Sequence, residues 1–300
     1  MEPGDRLATL GREVLGADVS LDIDQDVRLG SEKRLGGGCM KAPRWAALLC
    51  VSAIAACGCA GPSVAARPAN SAPLGDDTQG KVERALAGDW RGAEARQRDV
   101  YRHPKETLAF FGLKDAMHVV EISPGSGWYT AILAPVLAPR GRLTVTSGFD
   151  ELAKHPEIFG HVEVTSSSQF GADGSADMVL TFRNMHNWIG DHREQQVLAR
   201  VFAVLKPGGI LGLVDHRAKA DAVPPGAGGY LREDWVIAQV EKAGLRFVAK
   251  SEINANPRDT TDHQKGVWTL PPSYALGDVD RAKYEAIGES DRMTLKFVKP

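Results

Sequence analysis

Within twelve residues, Val119-Val-Glu121-Ile-Ser123-Pro-Gly125-Ser-Gly127-Trp-Tyr-Thr130 joins an apolar strand, a carboxylate, a Gly-x-Gly turn and the start of a helix (Trp128 to Leu137). Glycines lack a Cβ, tolerate unusual dihedrals and let a ligand approach the backbone. A carboxylate at the end of the strand suits a ligand bearing an ammonium or hydroxyls better than a phosphate. The phosphate-binding patterns do not fit. A dinucleotide fingerprint needs a third glycine where this chain has Thr130, and the Gly-Lys-Ser/Thr of a P-loop is absent. A tight strand-to-helix turn without any ligand is the plainer alternative.

A second set of residues follows two later strands. Asn184 and His186 come after a predicted strand at Asp177 to Phe182, and Asp215 and His216 after one at Gly209 to Val214. Both histidines are expected to face the same cleft. Either imidazole can act as a general base, with Asn184 and Asp215 orienting a substrate or cofactor. Tyr101, His103 and His263 can reach that cleft from covering segments. Each histidine equally suits a hydrogen-bonding role at a strand end. The spacing of His186, Asp215 and His216 matches no known metal-ligand pattern, so no metal is assigned. Trp188, Trp235 and Trp268 read as core or lid packing.

These residues need a scaffold, and the chain supplies strands alternating with helices. Glu94 to Tyr101 reads as a polar helix, and Pro104 as a first helical position followed by Lys105 to Phe111 and a stop at Gly112. Leu108, Phe110 and Phe111 are expected to bury that helix against a sheet. Predicted strands cover His118–Ile122, Leu143–Thr146, Val162–Thr165, Asp177–Phe182, Gly209–Val214, Arg246–Lys250 and Met293–Val298. Arg193–Leu205 and Arg232–Ala243 are predicted helices, the former carrying an apolar face of Val197, Leu198, Val201, Phe202 and Leu205. This alternation argues for an α/β fold with a doubly wound sheet covered on both faces. Ligands on such sheets bind outside the carboxyl ends of the strands. The loops at 123–127, 147–150, 183–192 and 215–231 therefore matter, and Ser251 to Asp291 is long enough to cover them.

The chain has 300 residues, 43% of them hydrophobic, and a net charge of -2. No basic field points to a nucleic-acid partner. All four cysteines (Cys39, Cys50, Cys57 and Cys59) precede residue 60, so the domain beyond holds no disulfide, zinc-thiolate site or cysteine nucleophile. Met40-Lys-Ala-Pro-Arg44, an apolar run from Trp45 to Ala56, and Ile54-Ala-Ala-Cys57 follow the order of a secretory signal. The run is shorter than the roughly 20 residues that span a bilayer. Ile-Ala-Ala-Cys resembles the lipobox of bacterial lipoproteins, which implies lipidation of Cys57 and a periplasmic, membrane-anchored protein. Residues 1–39 then read as an upstream leader ahead of a start at Met40, residues 40–57 as the signal peptide, and 58–88 as a flexible tether rich in Ala, Pro, Gly and Ser. Residues 89–300 form the working domain.

Leu205-Lys-Pro-Gly-Gly209 lies about 80 residues after the glycine loop. Together, Glu-x-Ser-x-Gly-x-Gly and Leu-Lys-Pro-Gly-Gly resemble the class I S-adenosylmethionine-dependent methyltransferases, over about residues 90 to 300. Arg183-Asn-Met-His-Asn-Trp188, Val214-Asp-His-Arg217 and Tyr101-Arg-His-Pro104 look like one bacterial group, usually called predicted methyltransferases. The resemblance implies a Rossmann-like seven-stranded sheet whose last strand is antiparallel. It implies S-adenosylmethionine as cofactor, with Glu121, Ser123, Gly125 and Gly127 at its methionine half and an acid after the second strand at its ribose. Two positions depart from the pattern: Ser123 stands where the family loop has its first glycine, and the nearest acid after the second strand is Asp150. In methyl transfer from a sulfonium, alignment supplies much of the rate, and a base is needed only when the acceptor must lose a proton.

Export and this cofactor conflict, since S-adenosylmethionine is made and used in the cytoplasm. The first reading is a methyltransferase acting on a small molecule, with a cytoplasmic location as the alternative to export. The second is a lipid-anchored periplasmic binding protein that keeps the fold without methyl transfer. A nicotinamide-dependent oxidoreductase is a distant third.

Overall fold

The computed structural model describes residues 76–223 and 227–300. The proposed leader (1–39), the signal peptide with Cys57 and the first part of the tether lie outside the described residues.

The elements run α1 (Asp76–Leu86), α2 (Ala93–Gln97), α3 (Asp99–Arg102), α4 (Pro104–Phe111), β1 (His118–Ile122), α5 (Thr130–Leu137), β2 (Arg142–Val145), α6 (Glu151–Lys154), α7 (Pro156–Phe159), β3 (Val162–Val164), β4 (Ala176–Phe182), α8 (Met185–Gly190), α9 (Glu194–Val204), β5 (Leu205–His216), α10 (Glu233–Lys242), β6 (Arg246–Ser251), α11 (Arg281–Ile287) and β7 (Arg292–Val298). The strands form one seven-stranded sheet in the order β3-β2-β1-β4-β5-β7-β6. β1 to β5 pair in parallel, and β7 runs antiparallel between β5 and β6. The order reverses beside β1, where β2 lies on one side and β4 on the other. That switch point opens the crevice in which ligands of such sheets bind.

Alternation along the strands sorts the core into two layers. Val120, Ile122, Val179, Leu211 and Leu213 pack with Leu198 and Val201 of α9, Val236 and Val240 of α10, and Trp188 of α8. Val119, Leu143, Met178, Leu180 and Val214 pack with Val82 of α1, Leu108 and Phe111 of α4, and Ile132 and Leu133 of α5. Leu108, Phe110 and Phe111 are buried, as the sequence predicts. Gly212 lets α4 approach this second face: a Cβ there would stand 2.7 Å from both Phe111 and Leu180.

Several bounds differ from the sequence reading: the helix read over Glu94 to Tyr101 is two short ones, α2 and α3, and the helix read from Trp128 begins at Thr130. Two further differences are larger. α1 occupies the end of the stretch read as tether. Its polar composition conceals an apolar seam in which Val82 and Ala85 are buried. The folded part therefore begins upstream of residue 89. Lys206-Pro-Gly-Gly209 lies inside β5 as an irregularity rather than as a separate turn: Ala176 pairs with Leu205, and the register resumes with Met178 opposite Ile210.

Candidate functional site

Glu121 ends β1 with its side chain buried, and its one hydrogen bond comes from the Thr130 hydroxyl at 2.6 Å. Burial pushes its carboxyl up to about 7, with the Thr130 bond opposing only in part. The loop beyond is held in left-handed backbone at Ser123 (φ 47°), Gly125 (φ 60°) and Gly127 (φ 77°). Ser123 is a side-chain-bearing residue in a region that favours glycine, and such conformations cluster at functional sites. Its N–H donates to Thr146 Oγ1 at 2.9 Å, which ties the loop to the end of β2. No atom stands near the position a Gly125 Cβ would take. Gly127 has the opposite surroundings, because the Phe149 ring lies so close that a Cβ there would sit 2.2 Å from it.

A hollow opens beside the loop, lined by Arg98, Arg102, Glu121, Ser123, Gly125 and Arg183 among others. The lead-in helices bring two of these arginines. Arg98 and Arg102, four residues apart, meet Glu289 at 2.5 and 3.3 Å, and Arg292 meets it at 3.0 Å. Burial opposes the charge of Glu289, but Arg292 and Arg102 outweigh it and hold its carboxyl far below the usual range. Arg102 also lies 4.5 Å over the Trp128 ring. Arg183 follows β4 in left-handed backbone (φ 63°), and burial pulls its guanidinium down to about 10.

The two predicted histidines meet. Their rings lie 5.1 Å apart. His186 Nδ1 is 2.9 Å from Asp215 Oδ1, and His216 Nδ1 is 2.5 Å from Ser290 Oγ. Burial, then His186 and the nearby arginines, pull His216 well below the ordinary histidine range, so it is neutral at pH 7. Trp268 meets His186 edge to face with ring centroids 6.1 Å apart, and Tyr230 stands 6.3 Å from His216. Donor atoms of His186, Asp215 and His216 lie within 4.8 Å of one another, but the arginine field that disfavours a protonated His216 disfavours a cation there too.

The other predicted site residues have different surroundings. Asn184 donates to the Ile122 carbonyl at 2.9 Å and to Thr181 Oγ1 at 3.1 Å, bracing the ends of β1 and β4. Asp215 accepts from the Met185 and His216 N–H groups, each at 2.8 Å, besides His186. It orients the histidine and caps the start of α8. Tyr101 lies against Gly288 in a second hollow, with His103, Asn254 and Ser290. His263 belongs to a separate buried network around Asp259, 2.8 Å away. Asp150 is exposed ahead of α6 and does not line the hollow. The sequence reading missed the arginine cluster. The spacing of Arg98 and Arg102, one helical turn apart, was its one local signal.

No family model matches the chain, and no curated protein matches it. Solved structures are similar in fold. The (4+2)-cyclase SpnF superposes with a TM-score of 0.50 at 14% identity, over 75% of this chain and 93% of that one. A SAM-dependent methyltransferase from Aquifex aeolicus gives 0.44 at 22% identity, over 59% and 93%. The Burkholderia thailandensis 1,6-didemethyltoxoflavin-N1-methyltransferase, with 1,6-didemethyltoxoflavin and S-adenosylhomocysteine bound, gives 0.48 at 16%, over 79% and 98%. At these identities the likeness is one of fold: a Rossmann-like seven-stranded α/β sheet of the class I methyltransferase type, with its last strand antiparallel.

Proposed function

We propose that this protein is an S-adenosylmethionine-dependent methyltransferase acting on a small molecule. The observation that carries the reading is the convergence of the Glu121–Gly127 loop with the His186–His216 pair at the carboxyl end of one sheet. The residues fit the methionine half of the cofactor. Glu121 offers a carboxylate for an ammonium, and guanidinium N–H groups of Arg98 and Arg102 are buried without partners beside the loop. At the ribose end Asp150, the nearest acid after β2, is exposed and does not line the hollow, while the Phe149 ring beside Gly127 offers an apolar face. When bound, the cofactor supplies an electrophilic methyl group on a sulfonium.

The remaining chemistry belongs to the chain. Glu121 and the loop hold the ligand's amino-acid end, and His216, kept neutral by its surroundings, offers the acceptor a hydrogen bond rather than taking its proton. His186, oriented by Asp215, holds the acceptor in line, which is the larger part of the rate. Trp268 excludes water from the pair. We further propose that the mature chain starts at a lipidated Cys57 on the periplasmic side of a membrane.

Calorimetry of the full chain with S-adenosylhomocysteine tests the cofactor assignment. Micromolar binding that weakens at least tenfold in Glu121→Gln is expected. Absence of heat between pH 6 and 8 overturns the assignment. Intact mass of the native protein tests the anchor: a lipid-modified N-terminus at Cys57 is expected, and a species retaining residues 1–39 refutes it.

A further inference from the structure

Tyr101 and His103 belong to the lead-in that the sequence singles out, yet neither lines the hollow at the glycine loop. They line the second hollow, with Asn254, Arg258, Ser290 and Arg292, where the α3–α4 junction meets the segment after β6 and the entry to β7. Its volume is about 90 Å³. A cavity of roughly 150 Å³ holds benzene, so this one takes about four non-hydrogen atoms. Two polar atoms of its lining residues, Asn254 Oδ1 and His103 Nδ1, are buried without a hydrogen-bond partner among the described residues. Asn254 is 3% exposed and spends its two amide hydrogens on Thr107 Oγ1 at 3.0 Å and Thr294 Oγ1 at 2.9 Å. The Thr107 hydroxyl itself donates to the Arg102 carbonyl, so it can only accept from Asn254. The amide oxygen is thereby fixed as a spare acceptor. His103 is held in left-handed backbone (φ 39°) between the two helices, a conformation that costs free energy in a residue with a side chain.

The charges around this hollow are already spent. Arg292 donates to the carbonyls of Tyr101 and Ser290 and pairs with Glu289, and Glu289 is divided among three arginines. The surplus of arginine disfavours an ammonium, and the fixed oxygen of Asn254 disfavours a carboxylate. Ser290 adds a second acceptor. With His216 offering Nε2–H, its Nδ1 accepts the Ser290 hydroxyl at 2.5 Å, and the lone pairs of Oγ are left for a donor. Two neighbouring acceptors in an uncharged setting match two neighbouring O–H donors. We infer that this hollow binds the vicinal-diol end of a neutral, polyhydroxylic small molecule. One ligand hydroxyl donates to Asn254 Oδ1 and the next to Ser290 Oγ, His103 Nδ1 bonds one of their oxygens, and the rest of the ligand leaves past the exposed Arg258. Through Ser290 the ligand is hydrogen-bonded to the His186–His216 pair. Under the proposed function the diol therefore belongs to the methyl acceptor, a step that rests on that reading, whereas the diol site itself does not.

Erythritol is the probe, titrated into the full chain and followed by saturation-transfer NMR, with and without S-adenosylhomocysteine. Saturable millimolar binding is expected, at least tenfold tighter than that of 1,4-butanediol, which has the same four carbons and no vicinal hydroxyls. His103→Gly relieves the left-handed backbone and removes the imidazole, and it should weaken erythritol at least fivefold. Ser290→Ala repeats the test if His103→Gly fails to fold. Erythritol and S-adenosylhomocysteine should bind additively. Four results overturn the inference: no saturable erythritol signal, as when ordered water alone fills the hollow; equal binding of 1,4-butanediol; an affinity unchanged in the folded variants; or competition by S-adenosylhomocysteine, which places the diol at the glycine loop. Erythritol binding in a chain that does not bind S-adenosylhomocysteine upholds the diol site and overturns the proposed function alone.

Discussion

Glu121 shows what a buried carboxyl costs at the scale of one residue. A buried carboxyl at about 7, against an ordinary value of 4.5, means that the folded state holds its proton more tightly than the unfolded chain. Between these values the folded state binds more protons, so stability falls as pH rises from 4.5 to about 7 and stays lower above it. The full effect is of order 3 kcal/mol. Glu121→Gln is therefore expected to melt higher than the wild type at pH 8, with the gap closing near pH 5, as thermal denaturation at the two pH values will show. The same variant loses ligand affinity, the familiar opposition of stability and function. A ligand ammonium beside Glu121 also favours the charged form, so binding near pH 6.5 should release a proton. Calorimetry in buffers of different ionisation enthalpy reads that release directly.

At the scale of elements, close approaches decide where the loop and the helices sit. Gly127 combines a left-handed backbone with contact from Phe149, so Gly127→Ala is strained on both counts. We expect it to destabilise by about 2 kcal/mol. Phe149→Ala should recover part of that loss in a double-mutant cycle, since it removes the clash and leaves the dihedral. Gly212→Ala pushes Phe111 and α4 off the sheet and should cost about 1–3 kcal/mol by denaturant titration. Most of these elements are legible in sequence. His118–Ile122 has the predicted bounds, and so does the helix opened by Pro104, because apolar periodicity and a proline–glycine pair mark them locally. α1 was hidden because its few apolar residues matter only once a sheet is there to receive them.

At the scale of the whole molecule, the long segment after β6 is fastened over the site by a buried carboxylate. Asp259 accepts from Tyr230 Oη at 3.0 Å, from the N–H groups of Thr261 and Asp291 at 2.9 and 2.8 Å, and lies 2.8 Å from His263. Asp259→Ala leaves those groups unpaired, at a cost of about 3 kcal/mol or more. Faster amide exchange across residues 252–291 is expected, while β1 and β4 stay protected. No helix among the described residues is long and apolar enough to cross a membrane, so the proposed membrane attachment rests on Cys57.

The sequence by itself determined the alternation of strands and helices, the glycine loop at Glu121–Gly127 and the two strand ends that carry histidines. These depend on periodicity and on residue types within about ten positions. Only the tertiary structure decided the electrostatics. It set Arg98 and Arg102 against Glu289 from nearly 190 residues away, joined His186 to Asp215, and fixed which of these groups lose water. Charge in a protein acts through distance and desolvation, and neither exists until the chain has folded. A glycine loop is therefore legible within a few residues of sequence, whereas the charges that surround it are set only by the fold.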